Sequence, residues 1–279
     1  MGRVVAIGKQ DFADIVKNNY FYIDKTDFIR EWWESGDAVT LITRPRRFGK
    51  TLNMDMIYRF FSNRYDDDIF FGLDIWKYEK FRNIKGNYPV IFISFASVKG
   101  NNIDDAKTQI KSQISKVFDD YSHILDETDY TENETRGFKA IRNDMSDVEA
   151  YNSLNLLSSM LEKRYKQKVI ILLDEYDTPL QEAYISGFWS EMAVFIRNIF
   201  NAAFKTNFSL ERALLTGITR VSKESIFSDL NNLEVVTTTS DKYTSSFGFT
   251  EEEVYSSMDE MGYTEEDKKR VKEWYDGFT

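Results

Sequence analysis

No cysteine occurs anywhere in the chain, so neither a disulfide framework nor a thiolate metal site is available to it. Histidine is almost as scarce. The single one, His123, lies in the polar stretch DDYSHILDETD and reads as a solvated loop or helix-end residue. One histidine excludes His-rich metal centres and any mechanism that needs two imidazoles. Three prolines and 13 glycines leave few natural breaks, and neither a low-complexity linker nor a repeat is visible. Long apolar runs are also missing. None approaches the length that spans a bilayer, and the opening MGRVVAIGKQDF is too short in apolar residues for a signal peptide. A soluble, cytoplasmic protein is the expectation. Basic excess is lacking too: 46 acidic against 36 basic residues give a net charge of −10, which argues against an extended nucleic-acid face but leaves room for a local basic patch.

What is present is a chain of 279 residues, 42% hydrophobic, enough for one large domain or a domain with a small appendage. AVTLIT, residues 38–43, is a compact β-branched run and predicts a strand. PVIFISF (89–95), KVIILLDEYD (168–177), RALLTGITR (212–220) and, more weakly, LEVVTTTS (233–240) predict four more. The continuous apolar run Val169 to Leu173 indicates a strand buried on both faces, as in a parallel sheet covered by helices. Helical spacing falls between the strands at roughly 103–119, 151–166 and 188–206. In YFYIDKTDFIREWWES a short extended piece precedes a helix for which Asp24 or Thr26 is the expected cap. This alternation predicts an α/β sandwich with about five parallel strands. From residue 249 onward the pattern becomes short and helical, TEEEVYSSMDEMG and TEEDKKRVKEWYDGF, each opening on a threonine and acidic residues. The expected division is therefore 1–248 as a core with an N-terminal extension and 249–279 as the start of a helical lid.

Between the first strand and its helix lies LITRPRRFGKTLN, Leu41 to Asn53. It ends like a phosphate-binding loop, with Gly49-Lys50-Thr51 running into a helix, but Arg44 and Pro45 stand where G-x-x-x-x-G-K-[ST] begins. A phosphate cradle needs successive backbone N–H groups, a helix N-terminus and a lysine for the outer phosphates. Arg46, Arg47, Phe48, Gly49, Lys50, Thr51 and Leu52 are the candidate nucleotide contacts, with Lys50 for charge and the Thr51 hydroxyl for Mg²⁺. Pro45 has no N–H to offer, and the basic entry is suited to attracting polyphosphate. Gly-Lys-Thr alone is common by chance. The second motif changes the balance: VIILLDEYD ends a buried strand on two adjacent carboxylates, Asp174 for Mg²⁺ and Glu175 to orient or deprotonate water. Alone, it would read as a solvated acidic turn. Thr219 and Arg220 end a strand expected beside the phosphate-loop strand. On spacing alone, Arg220 is equally a terminal-phosphate contact or a strand-end surface charge.

Seven stretches carry a family resemblance along nearly the whole chain: YFYIDKTDFI, VTLITRPRRFGKTLNMDM, YPVIFISF, KVIILLDEYDTPL, LLTGITRVSKESIFSDLNNL, FGFTEEEV and VKEWYDGF. The chain resembles the bacterial and archaeal AAA-ATPase-like proteins, a P-loop group close to the AAA+ and STAND ATPases, in which the arginine-proline entry is the normal form. The resemblance implies a three-layer ASCE-type P-loop fold with strand order 5-1-4-3-2, binding ATP and Mg²⁺. It implies Walker A roles for Lys50 and Thr51, Walker B roles for Asp174 and Glu175, and a sensor role for Arg220. Members commonly continue through the rest of a lid and often into a PD-(D/E)XK nuclease-like domain. This chain ends at Thr279, as expected of a short gene product or of a piece of a longer one.

Two further stretches need placing. The aromatics of EWW, Glu31 to Trp33, read as core packing in preference to adenine stacking. YIDKT, Tyr22 to Thr26, is the better base-contact candidate, through its recurrence in the family. The functional expectation is an ATP-hydrolysing switch that couples nucleotide state to a protein partner or an appended effector domain. The alternative is a nucleotide-binding interaction module with little turnover. A nuclease ranks below both, since no D…E-x-K constellation follows a strand pair.

Overall fold

The computed structural model describes residues 3–219 and 226–275. Helices α1 (Phe12–Lys17) and α2 (Asp27–Glu34) precede strand β1 (Val39–Thr43). Helices α3 (Lys50–Phe61) and α4 (Glu79–Ile84) lead to β2 (Val90–Ser94). Next come α5 (Ile103–Asp120), α6 (Ile124–Glu127), α7 (Glu132–Ala140), α8 (Asp147–Tyr165) and β3 (Val169–Asp174). Helices α9 (Thr178–Ser186) and α10 (Trp189–Phe200) lead to β4 (Leu210–Gly217). Strand β5 (Leu233–Val236) and helices α11 (Glu251–Glu260) and α12 (Glu265–Tyr275) follow. The five strands form one parallel sheet in the order β2-β3-β4-β1-β5, which read from the β5 edge is 5-1-4-3-2.

Alternation along the strands divides the interior into two cores. Val169, Ile171 and Leu173 of β3 face α5, α8 and α10, where Ile110, Phe118, Leu157 and Phe195 pack. Ile170 and Leu172 face the opposite way, toward Phe60 and Phe61 of α3 and Phe28 and Trp32 of α2. A strand buried on both faces must be apolar at every position, which is why this run shows no hydrophobic–polar alternation.

Several boundaries differ from those the sequence predicts. Helix α8 starts at Asp147 because Ser146 and Glu149 form a reciprocal capping box, each side chain accepting from the other's backbone N–H. Strand β5 stops at Val236 because the Thr237 N–H donates to the Ser240 hydroxyl (2.9 Å) and turns the chain. Strand β4 stops at Gly217, short of Thr219. Thr26 occupies the N-cap position of α2 but makes no capping bond there. Its hydroxyl instead donates to Asp24 (2.6 Å) and accepts from the Ile75 N–H (3.1 Å), while Asp24 also accepts from the Asp74 N–H (2.7 Å). These two residues pin residues 74–75 to the N-terminal region. Thr250 and Thr264 do cap α11 and α12, bonding the N–H groups of Glu253 and Asp267. His123 is exposed, with its ring 3.2 Å from the Tyr165 hydroxyl.

The EWW aromatics are core, as their spacing suggests. Trp32 is fully buried against Phe61 and donates from Nε1 to the Thr40 hydroxyl (3.2 Å). Trp33 stacks on Phe61 and carries the Arg212 guanidinium 4.5 Å from its ring centroid, while Arg212 donates to the carbonyls of Trp32 and Trp33. Arg212, on β4, thus satisfies the C-terminal carbonyls of α2 and joins that helix to the sheet. Trp32→Ala should cost about 3–5 kcal/mol, the range for large-to-small changes at buried aromatics. Urea unfolding would read the loss directly, and a change below about 1 kcal/mol would place Trp32 outside the cooperative core.

Candidate functional site

Parallel register brings the strand ends to one level. Ile42 and Thr43 of β1 lie opposite Thr216 and Gly217 of β4, and Leu173 of β3 lies opposite Leu215 of β4. The residues that follow β1, β3 and β4 therefore meet at the C-terminal edge of the sheet, the usual ligand edge of an open α/β sheet.

The loop between β1 and α3 resolves the irregular entry. Arg44 needs no glycine-like freedom, because its N–H donates to the Gly217 carbonyl (3.2 Å) and prolongs the β1–β4 ladder by one residue. The left-handed turns come later, at Arg47 (φ 68°) and Gly49 (φ 77°). Lys50 is buried and folds back over the loop, donating to the carbonyls of Arg44 (2.9 Å) and Pro45 (2.8 Å). Pro45 has no N–H, but its carbonyl takes part. Burial holds the Lys50 ammonium below the usual lysine range, and the carboxylates of Asp174, Glu175 and Asp177 partly offset that fall. Arg46 and Arg47 are exposed beside it, Phe48 and Leu52 are half-buried, and the free N–H groups of the first turn of α3 open on the same edge.

Asp174 is the hub. It is buried at the end of β3, where Oδ2 accepts from the Thr51 hydroxyl (2.9 Å) and Oδ1 from the Thr216 hydroxyl. One carboxylate so links the start of α3 to β3 and β4. Glu175 follows in a left-handed conformation (φ 52°). That strained turn is held by its N–H to the Thr216 hydroxyl (3.4 Å) and by the Thr178 hydroxyl donating to Oε2 (3.2 Å). Thr216 was not singled out by its motif, since a threonine inside an apolar strand reads as an ordinary β-former. Its hydroxyl becomes significant only through its place beside Asp174.

The hydroxyl–carboxylate pair of Thr51 and Asp174 suits Mg²⁺, a hard cation that takes oxygen ligands and keeps several waters or phosphate oxygens. Among the described residues no cluster of three or more His, Asp or Glu side chains could hold a metal by itself. A cation here would be shared with a ligand's phosphates.

Segment 243–250 closes over the loop. Asn53 Nδ2 donates to the Ser246 carbonyl (2.8 Å), and the Gly248 N–H donates to the Phe48 carbonyl (3.3 Å). The Arg44 guanidinium lies 5.8 Å from the Phe247 ring centroid. Lys25 donates to the Ser245 carbonyl (2.6 Å) and pairs with Glu253 of α11. YIDKT therefore serves as a clamp: Lys25 and Thr26 are buried, and the Tyr22 hydroxyl accepts from the Lys25 N–H (3.1 Å). Arg220 lies outside the described residues.

Comparison with known proteins places the chain in a class. The model of the AAA-ATPase-like family, described as "Predicted AAA-ATPase", matches residues 6–227, and the chain belongs to that family. Membership supports a nucleotide-binding role. The chain is also 28% identical over 278 residues to an uncharacterized protein in the vnfD 5′ region of Azotobacter chroococcum mcd 1. The match covers 98% of this chain and 48% of that protein, so the chain spans about half the length of the curated relative it matches. No helix among the described residues is long and apolar enough to cross a membrane.

Removing either member of the Thr51–Asp174 pair should cut Mg²⁺-dependent ATP affinity on the order of tenfold or more. The metal-free component should change much less. Calorimetry of Thr51→Ala and Asp174→Asn, with Mg²⁺ and with chelator, separates the two. Equal losses under both conditions would mean that the pair serves the loop and not a cation.

Proposed function

We propose that the chain binds ATP with Mg²⁺ and hydrolyses it, as the core of a nucleotide-dependent switch with an ASCE-type P-loop fold. The observation that carries this reading is the convergence of Lys50, Thr51, Asp174 and Glu175 on one sheet edge, from motifs more than a hundred residues apart in sequence. The N–H groups of residues 46–52 cradle the phosphates, and Arg46 and Arg47 add positive charge at the mouth. Lys50 exchanges its two loop carbonyls for phosphate oxygens. Thr51 and Asp174 would hold Mg²⁺, which would supply neutralisation of phosphate charge. Glu175, kept in place through Thr216 and Thr178, orients and deprotonates the attacking water. Arg220 registers the terminal phosphate.

Residues 1–248 form the core in this reading and 249–279 the first part of a lid, joined to the core through Lys25–Glu253 and the 243–250 segment. The lid carries nucleotide state to a protein partner or an appended effector domain, in keeping with a relative about twice as long. A cytoplasmic setting supplies both ATP and Mg²⁺.

Three variants test the reading. Lys50→Ala should weaken ATP and ADP binding together, and unchanged affinity by calorimetry would remove the phosphate-loop role. Glu175→Gln should keep ATP affinity but lose turnover by about 10²–10⁴-fold, the worth of a general base. If wild type and variant release phosphate at the same rate, Glu175 is not the base. If neither turns over while both bind, the chain is a nucleotide-binding module. Arg220→Ala should weaken ATP more than ADP on the order of tenfold or more, since a charge-assisted bond to phosphate contributes roughly 1.5–3 kcal/mol. A parallel loss of both affinities would return Arg220 to a surface charge.

A further inference from the structure

We propose that Asp177 is a positioning residue of this site: its buried carboxylate fastens the exit of β4, Gly217 to Thr219, onto the Glu175 turn, so that the two respond to bound phosphate as one body. The inference rests on the polyphosphate reading above.

Asp177 stands at the N-cap position of α9, where an aspartate ordinarily bonds the N–H groups of its own helix. It makes no such bond. The fully buried carboxylate turns instead toward β4. Its Oδ2 accepts from the N–H groups of Ile218 (3.0 Å) and Thr219 (2.8 Å) and from the Thr219 hydroxyl (2.7 Å). Gln181 Nε2 supplies a fourth donor (2.8 Å). Two consecutive backbone amides aimed at one oxygen form an anion nest. That nest ends β4 at Gly217, because the next two amides point to Asp177 and leave the ladder.

Two more contacts close the same joint. The Tyr176 hydroxyl donates to the Thr219 carbonyl (2.8 Å). A Cβ on Gly217 would lie 2.5 Å from Tyr176 Cε1 and 2.8 Å from Asp177 Oδ1, so only a glycine lets the two segments approach this closely. Both backbone polar groups of Thr219, its N–H and its carbonyl, are thus held, immediately before Arg220 in the sequence.

The charge itself calls for a role. Asp177 Oδ1 is buried and has no hydrogen-bond partner, a state that costs free energy in a fold that has neutral capping residues to choose from. Asp177 also adds to the negative field at Lys50, alongside Asp174 and Glu175. When phosphate draws Lys50 off its loop carbonyls, the balance of charge at this turn changes, and the nest carries the resulting movement to residues 218–219. In the motif DEYDTP the first two acids lie at the proposed nucleotide site, and the third is bonded to residues 218–219.

The test uses the full chain in four forms: wild type, Asp177→Ala, Thr219→Val and Thr219→Ser. Thr219→Val removes one bond to Asp177 at an exposed position, which protects the test if Asp177→Ala fails to fold. Thr219→Ser restores the hydroxyl. Affinities for MgATP and MgADP are measured, with amide hydrogen exchange of the peptide covering 218–219. Asp177→Ala and Thr219→Val should speed exchange there and lower the ATP/ADP preference on the order of tenfold or more, the worth of one charge-assisted bond. ADP affinity should stay within about threefold, and Thr219→Ser should behave as wild type. If wild type binds neither nucleotide, the polyphosphate reading fails and takes the coupling with it. Should wild type bind both while the variants keep its preference, or lose both nucleotides equally with faster exchange across the sheet, Asp177 only props the fold and the proposal is overturned.

Discussion

The site is organised around the two bonds that the Asp174 carboxylate accepts. A buried carboxylate is expensive unless its oxygens are paired, and here each oxygen is met by a threonine hydroxyl from a different element, Thr51 from α3 and Thr216 from β4. Those bonds fix the distance between the phosphate loop and the strand ends. They also set the next residue, since Glu175 enters its left-handed turn over the same Thr216 hydroxyl. Remove the carboxylate and three elements lose their common reference point, although the apolar sheet beneath would still be paired.

Around that hub the positive charge is arranged in layers. Lys50 is inside, desolvated and facing three carboxylates. Arg46 and Arg47 are outside and solvated. Arg44, in place of the glycine that usually opens such a loop, is buried against Phe247, and burial pushes its guanidinium below the usual arginine range. The irregular entry therefore has a physical use. It continues the strand ladder through its backbone, and its side chain reaches the segment that leads to α11. The same segment is tied by Asn53, Phe48 and Lys25, so the loop, the N-terminal helices and the start of α11 meet along one seam.

The sheet was legible because its signal is local. Short apolar runs marked all five strands, and Gly49-Lys50-Thr51 with Asp174-Glu175 suggested phosphate chemistry. Strand order was not read from composition; it came from family likeness, since register depends on which faces pack and no single run encodes that. Boundaries failed where side chains captured backbone groups. Ser146 and Glu149 were a visible capping signal that lengthened α8. The end of β4 had no such signal, because the aspartate that stops it lies some forty residues earlier in the chain.

Residue identity alone determined that this sequence offers no thiolate and no pair of imidazoles, that the run Val169 to Leu173 is apolar at every position, and that phosphate and Mg²⁺ chemistry are what its motifs suit. Those are properties of composition and short-range order, and they survive any arrangement in space. Only the tertiary structure decided what Thr216, Thr178, Tyr176 and Asp177 do. Each acts through a partner on another element or across a turn, and a hydroxyl or carboxylate has no direction until the fold supplies its neighbour. It also decided that YIDKT clamps the seam and that EWW holds β4 through Arg212, because burial and contact are relations between segments that a linear pattern does not contain.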